Sequence, residues 1–423
     1  MRWMTVLVVA IALGAGGLFS NLGSSVHSTA AQEATPSPAI LEEPAIGVTG
    51  RDRLTPVLAS IIGRETAPVL ASDGKYYVVY ELLITNTMNS PSSLEAVTVL
   101  DADNGNEILQ LNAEAMVEQE ALRLLDREPA ADAVLPANAG RILMLAVTFD
   151  SADEIPAALA HRIDTLGQSA FSIGVTPSTY VAANLGLSGQ APPVLSSPLR
   201  GEGWISAEGC CSPASHHVNG VFAINGTFAV GQRFAIDYIR IDDEGRLVAG
   251  DPSIQANWIG YRAPVLAAAD GVVVSTNNEL PNQVPTIMPD QSTMSLEEIE
   301  GNHVIIDHGN GLFTFYGHLD PGSVAVEVGE QVKTGDQLGL VGDSGGSQIA
   351  HLHFHVMDRA NPAEADGYPF VFDSFVLAGQ ADFNELVPAL KGEAAFPSRA
   401  ELDPVTRELE MPLSYTIVDF PDE

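Results

Sequence analysis

Residues 342–355 read Gly-Asp-Ser-Gly-Gly-Ser-Gln-Ile-Ala-His-Leu-His-Phe-His, a Gly/Ser-rich loop running into a strictly alternating segment. On a β-strand, residues two apart point to the same face. His351, His353 and His355 therefore stand in a row on one side of a rigid element. Three imidazoles so arranged can hold a divalent metal and still leave one to move protons. Eight of the ten histidines fall between 216 and 355, which concentrates this chemistry in the second half of the chain.

Just upstream, Val326, Val332 and Leu338 recur every six residues, as do Gly329 and Gly335. That period predicts short strands joined by tight turns in a small, strongly bent antiparallel sheet. Further upstream, the β-like runs 218–224 and 227–239 flank Asn225-Gly226, a strong two-residue hairpin signal. Residues 51–195 alternate short β-like runs with turns. A strand is predicted over 76–85, a hairpin joins 97–100 to 108–111 around Asp103-Asn104-Gly105, 112–126 reads as helix, and 142–149 is another strand. No cluster of acid, base or nucleophile appears in this half.

The predicted fold class is mainly β. A β-sandwich-like accessory module over 51–195 is followed by a small antiparallel β-sheet domain over 196–380. An acidic C-terminal tail over 381–423 contains one β-like run, 414–418, expected to pack back as an edge strand or stay mobile.

The chain opens as an export signal over residues 1–31. Arg2 supplies positive charge, residues 4–19 are apolar, and Thr29, Ala30 and Ala31 suit cleavage. Residues 32–50 carry Pro36, Pro38 and Pro44 and read as a linker. The expected location is extracytoplasmic, secreted or in the cell envelope, with membrane association only through an uncleaved signal anchor. The formal net charge of -35, with three lysines (Lys75, Lys333, Lys391), excludes nucleic-acid binding as a role. The only cysteines are adjacent, Cys210 and Cys211. In an exported protein a bond between them is the expected state, as a stiffener of the turn before His216-His217.

From Gly260 onward the chain resembles the lysostaphin-type (LytM-like) zinc metallopeptidases, a family of peptidoglycan endopeptidases. The resemblance rests on Ala263-Pro264-Val265-Leu266-Ala267-Ala268-Ala269-Asp270-Gly271, Gly301-Asn302-His303-Val304-Ile305-Ile306-Asp307-His308-Gly309, Tyr316-Gly317-His318-Leu319 and the run from Gly342 to Phe354. It covers roughly 120 residues in order. The resemblance implies a small antiparallel sheet with a groove across it and one Zn2+ held by a His, an Asp four residues later, and the second His of His-x-His. Carried over, Asp237 and His353 are metal ligands, and His318 and His351 are the catalytic pair. His355 has no counterpart and is expected as a supporting or surface residue.

The sequence departs from that pattern at Arg233, where the first ligand should fall. Arginine stays protonated and cannot bind zinc. The 218–239 hairpin offers a replacement. With Ile224 opposite Thr227, His216 lies opposite Ala235, on the face of Asp237 and one diagonal step of about 7–8 Å away. His216 is therefore the expected third ligand, with His217 in reserve, since a one-residue bulge at Gly231 exchanges the two.

The implied activity is zinc-dependent hydrolysis of peptide bonds in cell-wall peptidoglycan. The rival reading is a catalytically inactive relative that binds wall or activates a murein amidase, for which Arg233 is the argument. A third reading takes Gly342-Asp343-Ser344-Gly345-Gly346 as a serine-protease nucleophile segment, but no matching Ala-Ala-His-Cys-like segment lies upstream. Residues 277–300 form a long insertion in which Ser295-Leu296-Glu297-Glu298 fits a capping box. It reads equally as a lid over the groove or as a loose surface excursion.

Overall fold

The computed structural model describes residues 54–64, 66–393 and 403–422. The signal and linker expectations lie outside the described residues. Among the described residues, no helix is long and apolar enough to cross a membrane.

The first half is a sandwich of two five-stranded sheets. One sheet runs Val57–Ile62, Tyr76–Asn86, Gly140–Phe149, Leu122–Arg123, with Val69–Leu70 beside the second strand. The other runs Thr176–Gly186, Ala158–Gly167, Ser92–Asp101, Glu107–Asn112, with Val134–Leu135 beside Ser92–Asp101. Alternate residues of Tyr76–Asn86, namely Val78, Tyr80, Leu82 and Ile84, meet Leu94, Val97, Val99 and Ile163 between the sheets. Each such burial contributes about 1.5–3 kcal/mol.

The expected strands and the Asp103-Asn104-Gly105 hairpin are present, with Val99 opposite Leu109. The helix expected over 112–126 spans only Ala113–Glu118, capped by the Asn112 side chain. Tertiary pairing overrides helix propensity beyond it. Leu122 and Arg123 extend the first sheet opposite Leu143 and Ile142.

The strand Tyr76–Asn86 is covered on both faces. Its outward residue Val79 joins Ile62, Ile142 and Met144 in the core of the second half, with Val230, Phe234 and Phe354. The apolar core is thus continuous across position 195.

The second half centres on one large sheet. Its strands run Val194–Leu195, Val371–Gln380, Thr416–Phe420, Gly201–Glu208, Ile236–Arg240, Leu352–Met357, Phe313–Gly317, His303–Asp307, Gly271–Asn277 and Gln331–Val332. The six-residue repeat behaves as expected: Val326, Val332 and Leu338 are buried, and Gly329 and Gly335 take positive φ in the turns between them. The C-terminal segment is not an edge. Thr416–Phe420 lies inside the sheet between Gly201–Glu208 and Val371–Gln380, and its Ile417, Val418 and Phe420 are buried there. The hydrophobic alternation Ile-Val-Asp-Phe fits an interior strand, which the acidic surroundings concealed.

Candidate metal centre and catalytic groups

Asp237 enters on the strand Ile236–Arg240 and sits directly opposite His353 of Leu352–Met357. On the other side of that strand, His353 faces Gly317, so the next residue, His318, is delivered to the same region. His318 holds φ at 61°, a left-handed conformation unusual for a residue with a side chain. Asn302 pins the backbone beyond it: Leu319 N–H donates to Asn302 O at 2.9 Å, and the Asn302 amide donates to Leu319 O at 3.1 Å.

Four imidazoles converge on the Asp237 carboxylate. His353 Nδ1 lies 2.9 Å from Oδ1, His217 Nε2 and His351 Nε2 each 3.5 Å from Oδ1, and His216 Nε2 3.8 Å from Oδ2. His318 completes the group, its ring centroid 4.7 Å from that of His351 and 5.8 Å from that of His353.

The hydrogen bonds fix several tautomers, because a backbone carbonyl only accepts. His217 Nδ1–H donates to Ala235 O at 3.0 Å, His351 Nδ1–H to Ile349 O at 2.9 Å, and His318 Nδ1–H to Ser344 O at 2.8 Å. Each neutral ring therefore presents an unprotonated Nε2. For His217 and His351 that lone pair faces a carboxylate oxygen at 3.5 Å, a repulsive arrangement relieved by a cation between them. His353 is supported from behind by His355, with Nε2 and Nδ1 3.0 Å apart, and His355 is in turn stacked on Phe315. The contact fixes the orientation of the His353 ring, with Nδ1 toward Asp237. His355 is buried, so it is a supporting residue and not a surface one.

Electrostatics agree. Burial holds His217 well below the ordinary histidine range, so it stays neutral near pH 7, the form that binds metal. Burial also lowers His318, aided by His351 and His353. Burial alone would raise Asp237, but the surrounding rings of His217, His351 and His353 bring its carboxyl well below the usual range. A part-buried carboxylate approached by several imidazole nitrogens is a donor set suited to a divalent cation such as zinc.

The hairpin is shorter than the sequence suggests. Ile224 does face Thr227, but pairing ends at Phe222 and Ala229. His216 and His217 sit before it, in a turn, and reach Asp237 from there. His217 is fully buried, whereas the His216 side chain is 58% exposed, with Nδ1 3.6 Å from Glu208 Oε2. The turn follows Cys210-Cys211, which are bonded to each other.

Arg233 is engaged elsewhere. Its guanidinium meets Glu81 of the sandwich with two parallel hydrogen bonds, Nε to Oε1 at 2.9 Å and Nη2 to Oε2 at 2.7 Å, and both side chains are buried. Gly63, at φ 80°, lies so close that a Cβ there would come within 2.6 Å of Arg233 Nη2.

The glycine loop contacts both His318 and His351. Ser347 Oγ donates to Asp343 Oδ1 at 2.5 Å and lies 3.3 Å from His351 Nδ1. Ser344 is no nucleophile: it is buried, accepts from Asn302 N–H at 2.9 Å and donates to Leu319 O at 2.8 Å. The insertion is fastened to this loop. Gln283 N–H donates to Asp343 O at 2.8 Å, and the Gln291 amide donates to Gly346 O at 3.1 Å. Its helical turn Leu296–Glu300 carries the expected capping box. Sequence reasoning missed Ser347, Asp343 and Glu81; the first two stand in the loop quoted at the outset.

Residues 258–365 match the sequence profile of Peptidase family M23. The match includes His318, His351 and His353 and begins downstream of Asp237. Over 107 residues the chain is 37% identical to the cell division protein DipM of Caulobacter vibrioides, covering 24% of this chain and 14% of DipM. Over 102 residues it is 33% identical to the peptidoglycan DD-endopeptidase ShyA of Vibrio cholerae, covering 24% of this chain and 19% of ShyA. Among solved structures it is similar to the catalytic domain of lysostaphin from Staphylococcus simulans, at 21% identity and a TM-score of 0.21, covering 34% of this chain and 80% of that one. The likeness to a known family therefore lies in residues 258–365, which match Peptidase family M23.

Proposed function

We propose that the chain is an extracytoplasmic zinc endopeptidase that hydrolyses peptide bonds of cell-wall peptidoglycan. Support for the substrate class comes from the M23 domain and from relatives named as peptidoglycan endopeptidases. The observation that carries the reading is the convergence of imidazole Nε2 atoms, their Nδ1–H groups tied to carbonyls, on the part-buried Asp237 carboxylate.

In this reading His353, Asp237 and one histidine of the 216–217 pair hold the zinc. Of that pair, His217 has the better-built position, buried and tethered through Nδ1, and we assign it the third ligand; His216 flanks it on the exposed side. Zinc bound there would polarise the scissile carbonyl and acidify a water.

The remaining work falls to His318 and His351. Each has its Nδ1–H tied to a carbonyl, so each can take a proton at Nε2. The ring that accepts the water's proton becomes a donor at that nitrogen and returns the proton to the leaving amine as the C–N bond breaks. Ser347 and Asp343 keep the His351 ring oriented.

The test is digestion of purified peptidoglycan by the full-length protein. New peptide termini, their loss with a zinc chelator and their recovery on adding Zn2+ are expected. Wall binding or amidase activation with no new termini would favour the inactive-relative reading.

A further inference from the structure

The turn that carries His216 and His217 is held by the N-terminal sandwich. At the edge of the first sheet, Leu122–Arg123 leads into a tight turn through Arg127, and this turn reaches the second half of the chain. The Arg123 guanidinium is buried and makes three hydrogen bonds: to Arg127 O at 2.9 Å, to Glu120 Oε2 at 3.1 Å, and to Pro213 O at 3.0 Å. Pro213 lies four residues before His217. On the other flank of the turn, the Arg127 guanidinium stacks 4.2 Å above the ring of Phe222. Between these two contacts the turn is held by Ser215 Oγ donating to Glu208 Oε2 at 2.9 Å, His217 Nδ1–H to Ala235 O at 3.0 Å and Asn219 N–H to Ser215 O at 3.0 Å, with Val218 and Val221 buried in the core.

We infer that the sandwich is a working part of the metal centre, with Arg123 as a positioning residue that fixes the His216–His217 turn against Asp237. This rests on the zinc reading above. Three observations combine. The sequence lacks a ligand at position 233, whose side chain is committed to the sandwich through Glu81. The substitute imidazoles stand on a turn and not on a strand, so neither flank belongs to the sheet that places Asp237 and His353. Both flanks of that turn are gripped by arginines of one sandwich edge. A charge-assisted hydrogen bond from a buried arginine gives a loop the precision that a strand has by its ladder. The accessory module has thus exchanged independence for a share in the site, and metal affinity becomes sensitive to how the two halves are docked.

The experiment uses the full-length protein and reads Zn2+ affinity by competition with a chromophoric chelator. The visible spectrum of the Co2+-loaded protein reports coordination geometry. Arg123→Gln should weaken Zn2+ binding roughly 10–100-fold, as loss of outer support for a ligand does, and should alter the Co2+ spectrum. Arg123→Lys, which keeps a donor for Pro213 O, should recover most of the affinity. Arg162→Gln, which breaks an exposed ion pair with Glu107 on the other sheet, should leave both readouts unchanged. Wild-type affinity and spectrum in Arg123→Gln overturn the inference. If that variant does not fold, Arg127→Ala decides, with a smaller weakening expected and unchanged affinity overturning it. Wild-type protein that binds neither metal overturns the zinc reading and this inference together.

Discussion

Arg233 and Asp237 stand four residues apart on one stretch of chain, and their surroundings differ in kind. Arg233 lies in a closed arrangement: a buried guanidinium paired with the buried Glu81 carboxylate, oxygen for nitrogen. Asp237 lies in an open one: several imidazole nitrogens approach it, and at least two of them bring lone pairs rather than protons. A closed set of partners holds two pieces of structure together. An open convergent set is complete only when something else joins it. Position 233 is of the first kind and Asp237 of the second, and in the proposed reading the 216–217 turn supplies the third ligand.

The sharpest way to break this contrast is to remove one member from each set. Asp237→Ala should abolish zinc binding and cut peptidoglycan hydrolysis roughly a thousandfold or more, the equivalent of several kcal/mol of transition-state stabilisation. Its metal-free stability in urea should stay within about 1 kcal/mol of wild type. Glu81→Gln should behave oppositely. It strands a buried guanidinium and should cost about 3–5 kcal/mol of stability, read by the shift in urea midpoint, whereas Glu81→Leu with Arg233→Met together should restore most of it.

A second comparison sets two buried histidines side by side. His161, inside the sandwich, has both nitrogens satisfied, by Tyr80 Oη at 2.7 Å and Ala183 O at 2.7 Å. Burial lowers its pKa to about 4. The unfolded chain takes up this proton below about pH 6.5, but the folded chain does so only near pH 4. Stability from this group is therefore complete above pH 6.5 and falls as the pH drops toward 4, by on the order of 3 kcal/mol in all. Urea unfolding between pH 7 and 4.5 should show this loss in wild type and a weaker slope in His161→Gln.

The smallest expected effect is at Ser347. Ser347→Ala leaves the His351 Nδ1–H to Ile349 O bond in place, so kcat should drop only about 3–10-fold, roughly 1 kcal/mol, with KM unchanged.

Much of this was legible in the sequence, for identifiable reasons. The period of two in His-Leu-His-Phe-His and the period of six from Val326 to Leu338 are local patterns, and local patterns survive folding. His351 and His353, named from the family resemblance, lie within 3.5 Å of the Asp237 carboxylate, and the His318 ring lies beside them. The turn at 216–217 was only partly legible because the 222–229 hairpin ends early and the chain folds through 230–234 before Asp237; Gly231, the site of the possible bulge, is the one local sign of the break. The docking of the halves was written faintly. Tyr-Tyr-Val-Val-Tyr-Glu-Leu-Leu-Ile, residues 76–84, is apolar on both faces, which signals a strand covered on both sides. A lone Glu81 within it signals a buried partner. What the sequence could not say is that the partner is Arg233, 152 residues away.

The central claim is that a histidine of this turn, His217, has taken the vacated place in the metal centre. The most direct measurement is zinc content of the full-length protein after exhaustive dialysis, compared among wild type, His216→Ala and His217→Ala. The account predicts one zinc per chain in wild type and in His216→Ala, and none in His217→Ala. Zinc retained at full stoichiometry in His217→Ala would contradict it.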